Sequence, residues 1–542
     1  MRGRLGSRRG LGKELNRPQP FLGVPGLDVR VLAEPKLLFG DLQKIVDPRV
    51  GLGLYGPFDI DDPGRRTAIR LGLIGTSESV ELVHQLVARS RSSIAPVRRT
   101  LWQGNVTEYP MDPAIYPFFP GLERAFDIEV VLDTALVETL GRREVAELER
   151  IKLYEPRVTR LVDMVMERLR VLAEKPASPD VCIVALSGEV RALCTGITRH
   201  ARRRQPRPDS VVTSVKLDLE RDKRGGQRNL FGFNETFPVS EDQLAEEADG
   251  SAEHSVFHDG LKARAMKHGI PTQLIWESTL RGLNVEDDAT RAWNFWTGIY
   301  YKAGNVPWRA HTVARGTCFV GVAFYVDRSD RSLRSAMAQA FSDHGEGIVL
   351  RGERFEWEGP RHKSPHLPRQ LAADLMRQVL AEYERHLHHR PARVVLHKWS
   401  RYWEEERAGF DDGLADIRTV DYVALGSRGI QFFRAGEHPP LRGTMITMDR
   451  GNAILYTRGF VPFLGAHLGP RIPRPIEITE HIGPTSMTQI CTELLILTKL
   501  DWNTTSFAGK EPITTAFSEK VGKILAEIPP GTSPRTLYRF YM

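Results

Sequence analysis

The sequence has little cysteine. Four residues in 542, Cys182, Cys194, Cys318 and Cys491, stand far apart, with no CxxC pair among them. That excludes the common structural zinc sites and a disulfide framework. Cys182 and Cys318 fall in apolar, strand-like runs and read as buried thiols, the usage of a reducing cytoplasm. Long apolar runs are missing too: no stretch of roughly 18 apolar residues, the length a membrane-spanning helix needs, occurs. No charge sign dominates. Lysine and arginine number 75 against 68 aspartates and glutamates, a net charge of +7 with a pI near 9.2. Such a mild basic balance permits a polyanionic partner without demanding one. The basic N-terminus, MRGRLGSRRGLGK, has no apolar segment behind it and does not read as a secretory signal. Residues 1–34, rich in Gly, Arg and Pro, read as a disordered basic arm or as residues upstream of the true start.

What is present is ordinary globular composition, 41% hydrophobic and 26% charged, over a length that exceeds one hydrophobic core. PRVGLGLYGPF (48–58) is dense in Gly and Pro and reads as a packed loop. Ala68–Ile74 is a short apolar run. Gly75, Thr76 and Ser77 follow as turn and cap, and Val80, Val83, Leu86 and Val87 then form a helical stripe. The same alternation recurs in FDIEVVL, in a helix over 157–174 and in the strand DVCIVALS (180–187). It predicts a doubly wound α/β sheet with helices on both faces. A basic run (200–208) and an acidic run (241–253) interrupt it within 199–252. They read as solvated loops, or Arg202, Arg203, Arg204 and Arg207 touch a nucleic-acid backbone or a partner. From Gly316 the pattern changes. GTCFVGVAFYV is a long strand, GEGIVLRGERFEWEG supplies its hairpin partners, a helix covers Leu367 to about His386, and RVVLHKW is a strand emerging from it. That order predicts a ribonuclease H-like α/β domain.

Between these units lies Phe257–Trp308. His258 and Lys262 are four apart in a helical pattern and share a face. Gly269 and Pro271 stop that helix before the strand-like TQLIW, which carries Gln273. Asn284, with Asp287 three residues on, resembles a cap for a second helix, whose core stripe is Ala292, Trp296, Ile299 and Ala303 and whose end carries Lys302. A histidine, two lysines and an amide converging on one small anion would suit the phosphorylated end of a nucleic acid. On the residues alone the favoured reading is that Lys262 and Lys302 are ordinary surface lysines and His258 caps a helix.

Several stretches resemble one family. LTKLDWNTTSFAGKEPITTAFSEKVGKIL (497–525) and LYTRGFVPFLGAHLGPRIPRPIEI (455–478) resemble the PIWI domain of prokaryotic Argonautes. PRVGLGLYGPF followed by IRLGLIG resembles the start of the short Argonautes, which keep only the MID and PIWI lobes. The resemblance covers about 35–542. It implies a Rossmann-like MID domain over 35–312, holding the 199–252 loop, and a ribonuclease H-like PIWI domain over 313–542. The family's pocket for a guide's 5′ phosphate matches His258, Lys262, Gln273 and Lys302. The chain's end, RTLYRFYM, implies docking of the terminus there, with the Met542 carboxylate and the phosphate holding Mg²⁺.

Slicing Argonautes place carboxylates around two metal ions in the PIWI domain. The matching positions here are Ala323 and Trp399, followed by Ser400; none is acidic. Asp327, four residues beyond Ala323, reads as a loop or turn residue, and Glu519 as a helix-surface charge. The resemblance therefore implies a catalytically inactive subunit. It would bind a short 5′-phosphorylated guide, RNA (or DNA), recognise single-stranded DNA of plasmids or phages, and activate a separate APAZ-containing effector (TIR, SIR2 or nuclease). The expected assembly is a cytoplasmic heterodimer, with higher oligomers on activation. Two alternatives remain: an active metal-dependent nuclease using Asp327, and a small-ligand α/β binding protein that would leave the second domain unexplained.

Overall fold

A computed structural model describes residues 27–542 apart from 103, 196–251, 312, 327–332, 341–346, 356–364, 428, 435–438, 450, 468–471 and 530–531. Arg202, Arg203, Arg204 and Arg207, read as backbone or partner contacts, and Asp327 therefore lie outside the described residues.

The first described strand, β1 (Asp28–Val31), falls inside the stretch read from sequence as a disordered arm. It is ordered by backbone pairing far along the chain, Asp28 opposite Thr447 and Val31 opposite Thr444. The supposed loop at 48–58 is largely a helix, α1 (Pro48–Tyr55). Asp47 caps it, accepting from the N–H groups of Arg49 (2.8 Å) and Val50 (3.1 Å), and proline at the first helical position is already set to helical φ.

The first lobe is a four-stranded parallel sheet. Its strands are β2 (Ala68–Gly75), β3 (Glu129–Thr139), β4 (Val181–Leu186) and β5 (Thr272–Trp276), in the order β3-β2-β4-β5. Strand residues alternate between two cores. Leu71, Leu73, Ile183 and Ala185 face α2 (Ser77–Ser90), while Ile74, Cys182, Val184 and Leu186 face α3 (Tyr154–Ala173) and α4 (Ala252–Ala265). This is the predicted doubly wound layer. After β5, Asp288–Lys302 forms α5. Asp287, rather than Asn284, caps it, accepting from Thr290 N at 2.9 Å. Asn284 sits at φ 57° and accepts from Leu101 N of an exposed hairpin.

The second lobe begins with the meander β6 (Thr317–Val326), β7 (Leu333–Ala340) and β8 (Ile348–Phe355). Helix α6 (Arg369–Leu387) then leads to β9 (Arg393–Lys398), which lies parallel to β6, and α7 (Glu404–Gly413) leads to β10 (Thr419–Gly426). The order β8-β7-β6-β9-β10 is the ribonuclease H arrangement predicted. Beyond β10 the sheet continues through β13 (Ile476–Ile482), β12 (Ala453–Leu455) and β11 (Thr444–Thr447), in that order, ending on β1. Helices α6 and α7 cover one face. Two more, α8 (Met487–Leu497) and α9 (Ile513–Leu525), cover the other, in a core that also takes in α2 and α5 of the first lobe. The lobes are thus sealed by one shared core, with α5 inside it. No helix among the described residues is long and apolar enough to cross a membrane.

Candidate nucleic-acid interface

Neither lysine is a surface residue. Lys262, on α4, is 1% exposed, and its Nζ donates to the Thr272 carbonyl on β5. Gln273 follows on that strand; its Nε2 donates to Leu274 O at 3.0 Å and its Oε1 accepts from Lys302 Nζ at the end of α5. Lys302 is also 1% exposed. Gly269, at φ 71°, reverses the chain between α4 and β5, so that the helix carrying Lys262 lies beside the strand carrying Gln273. His258 keeps 35% of its side chain exposed at the rim, with Nδ1 3.0 Å from Asp259 Oδ1.

The electrostatics are those of a cationic hole. Burial pulls the Lys302 ammonium down to about 7, with Asp501 opposing the shift. Burial and the charge of Lys302 hold Lys262 well below the usual lysine range. His258 is lowered by burial, against its bond to Asp259 and together with the two lysines. Among the described residues, no carboxylate is hydrogen-bonded to either Nζ.

Sequence reasoning missed Gly298. A Cβ there would stand 3.8 Å from Asn503 Oδ1 and 3.9 Å from both Gln273 Oε1 and Lys302 Nζ. The absent side chain leaves the cradle open above three polar atoms. A glycine inside the helical pattern TGIYYK was the available signal. Asn503 and Asp501 come from the loop after α8, some two hundred residues away, and no local pattern announced them.

The C-terminal segment packs against the same elements. Arg535 Nε donates to Met266 O at 3.2 Å, and the Arg539 guanidinium lies over Gly304. Tyr301, next to Lys302, stacks on Trp502 with ring centroids 4.3 Å apart, and Tyr538 packs edge-on to Phe517 at 3.8 Å. Met542 is 4% exposed.

A cavity of about 270 Å³ opens further along the lobe boundary, lined by Arg49, Tyr116 and Thr290 of the first lobe and Arg458, Thr505 and Phe507 of the second. Thr290 and Lys302 are twelve residues apart on α5, roughly 18 Å along its axis. Arg49 Nε and Thr290 Oγ1 have no hydrogen-bond partner among the described residues. The cavity thus meets α5 near its first turn and the lysine cradle meets it at its last, and Glu286 lines the cavity beside the arginines.

This architecture is shared with solved structures. Clostridium butyricum Argonaute, bound to a guide DNA with 5′ deoxycytidine and a 19-mer target DNA, superposes with a TM-score of 0.59 at 15% identity, covering 94% of this chain and 54% of that one. A. aeolicus Argonaute gives 0.50 at 14%, covering 94% and 56%. The chain has an Argonaute fold. It spans about half the length of these two Argonautes. No protein-family model matches its sequence. No curated protein matches it either.

Within the Argonaute fold, Val322 lies opposite Lys398 in the parallel pair β6–β9; Ala323 is the next residue on β6 and Trp399 the first residue beyond β9. The neighbouring polar group is an ion pair: Lys398 Nζ donates to both Glu406 oxygens, at 2.9 and 2.7 Å, and lies 5.1 Å from the Phe324 ring centre. Burial lowers the Lys398 pKa while Glu406 opposes it. Glu519 is on α9, 45% exposed and paired with Lys523 at 3.2 Å. Among the described residues, no three His, Cys, Asp or Glu side chains gather to hold a metal.

Proposed function

We propose that this chain holds the 5′-phosphorylated end of a short guide, RNA or DNA, in the pocket of Lys262, Gln273 and Lys302, with His258 at its rim. The observation that carries the reading is the pair of buried lysines whose hydrogen-bond acceptors, among the described residues, are neutral oxygens. A terminal phosphate brings a negative charge within hydrogen-bond reach and accepts charge-assisted hydrogen bonds from both. The Gly298 opening admits it. The half-exposed imidazole can stack on the first base or donate to the phosphate. From there the guide backbone runs along α5 to the cavity beside Thr290, where the exposed Arg458 would contact phosphates without reading sequence. The C. butyricum Argonaute of the same fold was solved with guide and target DNA, which supports a nucleic acid as the ligand.

The Met542 carboxylate and phosphate oxygens are hard donors that suit Mg²⁺. Since the described side chains assemble no metal cluster of their own, the cation would arrive with the guide, and the lysines remain the primary grip. When bound, it would neutralise charge shared by phosphate and carboxylate. Guide bases would then pair with complementary single-stranded DNA of plasmids or phages, so that pairing carries the specificity. With Ala323 and Trp399 at the positions where slicing Argonautes place acids, the chain holds rather than cuts. An APAZ-containing effector, bound as a heterodimer in the cytoplasm and assembling further on activation, would act when the target pairs.

Two measurements test this. Purified with its neighbour-encoded protein, the chain should carry short 5′-phosphorylated nucleic acids, and it should bind 5′-phosphorylated oligonucleotides in preference to 5′-hydroxyl ones. Equal binding of the two ends the pocket assignment. A guide-matched target should stay intact with Mg²⁺ or Mn²⁺; cleavage would restore the nuclease reading.

A further inference from the structure

We propose that Glu286 reads the sugar of the bound strand: its free carboxylate oxygen accepts the 2′-hydroxyl of a ribose in the lobe-boundary cavity, so that the cavity distinguishes RNA from DNA. The proposal rests on the guide-end reading and adds the sugar chemistry of the strand. Its starting point is a fixed carboxylate on the path of a polyanion. Glu286 lies in the bend before α5, is exposed, and lines the cavity. Its Oε2 accepts from Asn294 Nδ2 of α5 at 3.1 Å. Asn294 is held in turn from the other lobe, its Oδ1 accepting from Thr505 N at 2.8 Å and Thr505 Oγ1 at 2.9 Å. A chain of hydrogen bonds across the lobe boundary therefore orients the carboxylate. Its Oε1 has no hydrogen-bond partner among the described residues.

The cations around it do not use that oxygen. Arg49 donates to Ile115 O at 3.0 Å, Arg291 to Asp288 and the Thr279 carbonyl, and Arg442 to Glu34 at 3.0 Å. Arg458, exposed on the second lobe's side of the cavity, is the cation left to meet a phosphate. A bare carboxylate beside a nucleic-acid backbone is unfavourable, since like charges repel. A hydrogen-bond donor on the strand itself offsets that repulsion. Phosphate and ring oxygens only accept, and deoxyribose adds no donor within the strand; the ribose 2′-hydroxyl is one, and it sits on the backbone side. Base amines also donate, but in this reading their edges are turned to the complementary strand. One nucleotide is then held at two points, its phosphate by Arg458 and its hydroxyl by Glu286, and DNA has only the first.

The fold also says where along the strand this happens. Thr290, which lines the cavity with Glu286, is roughly 18 Å along α5 from Lys302. At a rise of about 3.4 Å per stacked nucleotide, that is about five steps from the phosphate pocket, and fewer for a stretched strand.

The test is a polarisation assay of the full chain with 5′-phosphorylated strands of one sequence, made as RNA, as DNA, and as RNA with a single 2′-deoxy nucleotide at each position in turn. RNA should bind roughly tenfold more tightly than DNA. The single-deoxy penalty should fall on one or two neighbouring positions within about the first six. In Glu286→Ala that local penalty should vanish, while the preference for 5′ phosphate over 5′ hydroxyl persists. Penalties absent or spread evenly along the strand of the unmodified chain overturn the proposal, so no variant need fold for it to fail. A local penalty that survives Glu286→Ala refutes the assignment to Glu286. An effect that follows the base rather than the sugar, seen when the base alone is changed at those positions, overturns the reading of a hydroxyl. Equal binding of 5′-phosphorylated and 5′-hydroxyl RNA overturns the guide-end reading itself.

Discussion

Lys302 and Gly298 divide the work of the pocket between charge and space. A hydrogen bond to a charged group contributes about 1.5–3 kcal/mol. Lys302→Met should therefore weaken binding of a 5′-phosphorylated strand roughly 10- to 150-fold in a polarisation assay. The melting temperature should hold or rise, because a buried cation hydrogen-bonded to a neutral amide is removed. At Gly298 a Cβ would find ordinary van der Waals distances of 3.8–3.9 Å. Gly298→Ala should raise stability by about 0.5–1 kcal/mol and still bind. Gly298→Leu should fold yet lose the preference for 5′ phosphate, as read by the same assay. Asp421 shows the opposite electrostatic case. Burial alone would raise its pKa. Hydrogen bonds from His481, Thr485 and Arg393 outweigh that and hold the carboxylate down to about 2. Its folded pKa is depressed, so its contribution, about 2 kcal/mol, is present above pH 4 and lost as pH falls through 2. Urea unfolding at pH 5 should show that deficit in Asp421→Asn, and the difference from the unmodified chain should shrink towards pH 2.

At the scale of elements, α1 and β1 show where local reading fails. Glycine at 51 suggested a loop. In the fold a Cβ there would meet the Phe39 ring at 2.2 Å, so the residue is small to let a helix approach an aromatic side chain, not to make a turn. Only its packing partner reveals that. Strand β1 has four residues and no signal of its own; it exists because β11 offers a free edge. Glu34, just beyond it, pairs with Arg442 at 3.0 Å and Lys499 at 2.6 Å, both buried. Glu34→Gln leaves two enclosed cations without that partner and should destabilise the protein by about 3 kcal/mol, measured by chemical unfolding. By contrast, α4, β5 and α5 were legible, since spacing, breakers and caps are properties of neighbouring residues.

At the scale of the molecule, the lobes share a core and cross-lobe hydrogen bonds. Trp308 Nε1 donates to Lys499 O at 2.9 Å, and Asn294 Oδ1 accepts from Thr505 N at 2.8 Å. Thermal unfolding should therefore show one cooperative transition, and a fragment over 313–542 expressed alone should fail to fold, as judged by near-ultraviolet dichroism. Separate transitions for the two lobes would contradict the shared core. The order of strands and helices, the two α/β layers and the neighbourhood of His258, Lys262, Gln273 and Lys302 were determined by the sequence itself, because periodicity and turn chemistry act over a few residues. The burial of both lysines, the influence of Asp501 on Lys302 and the Gly298 opening were decided only by tertiary structure. Burial and electrostatic potential are sums over atoms brought close in space, and here those atoms come from residues hundreds apart in the chain.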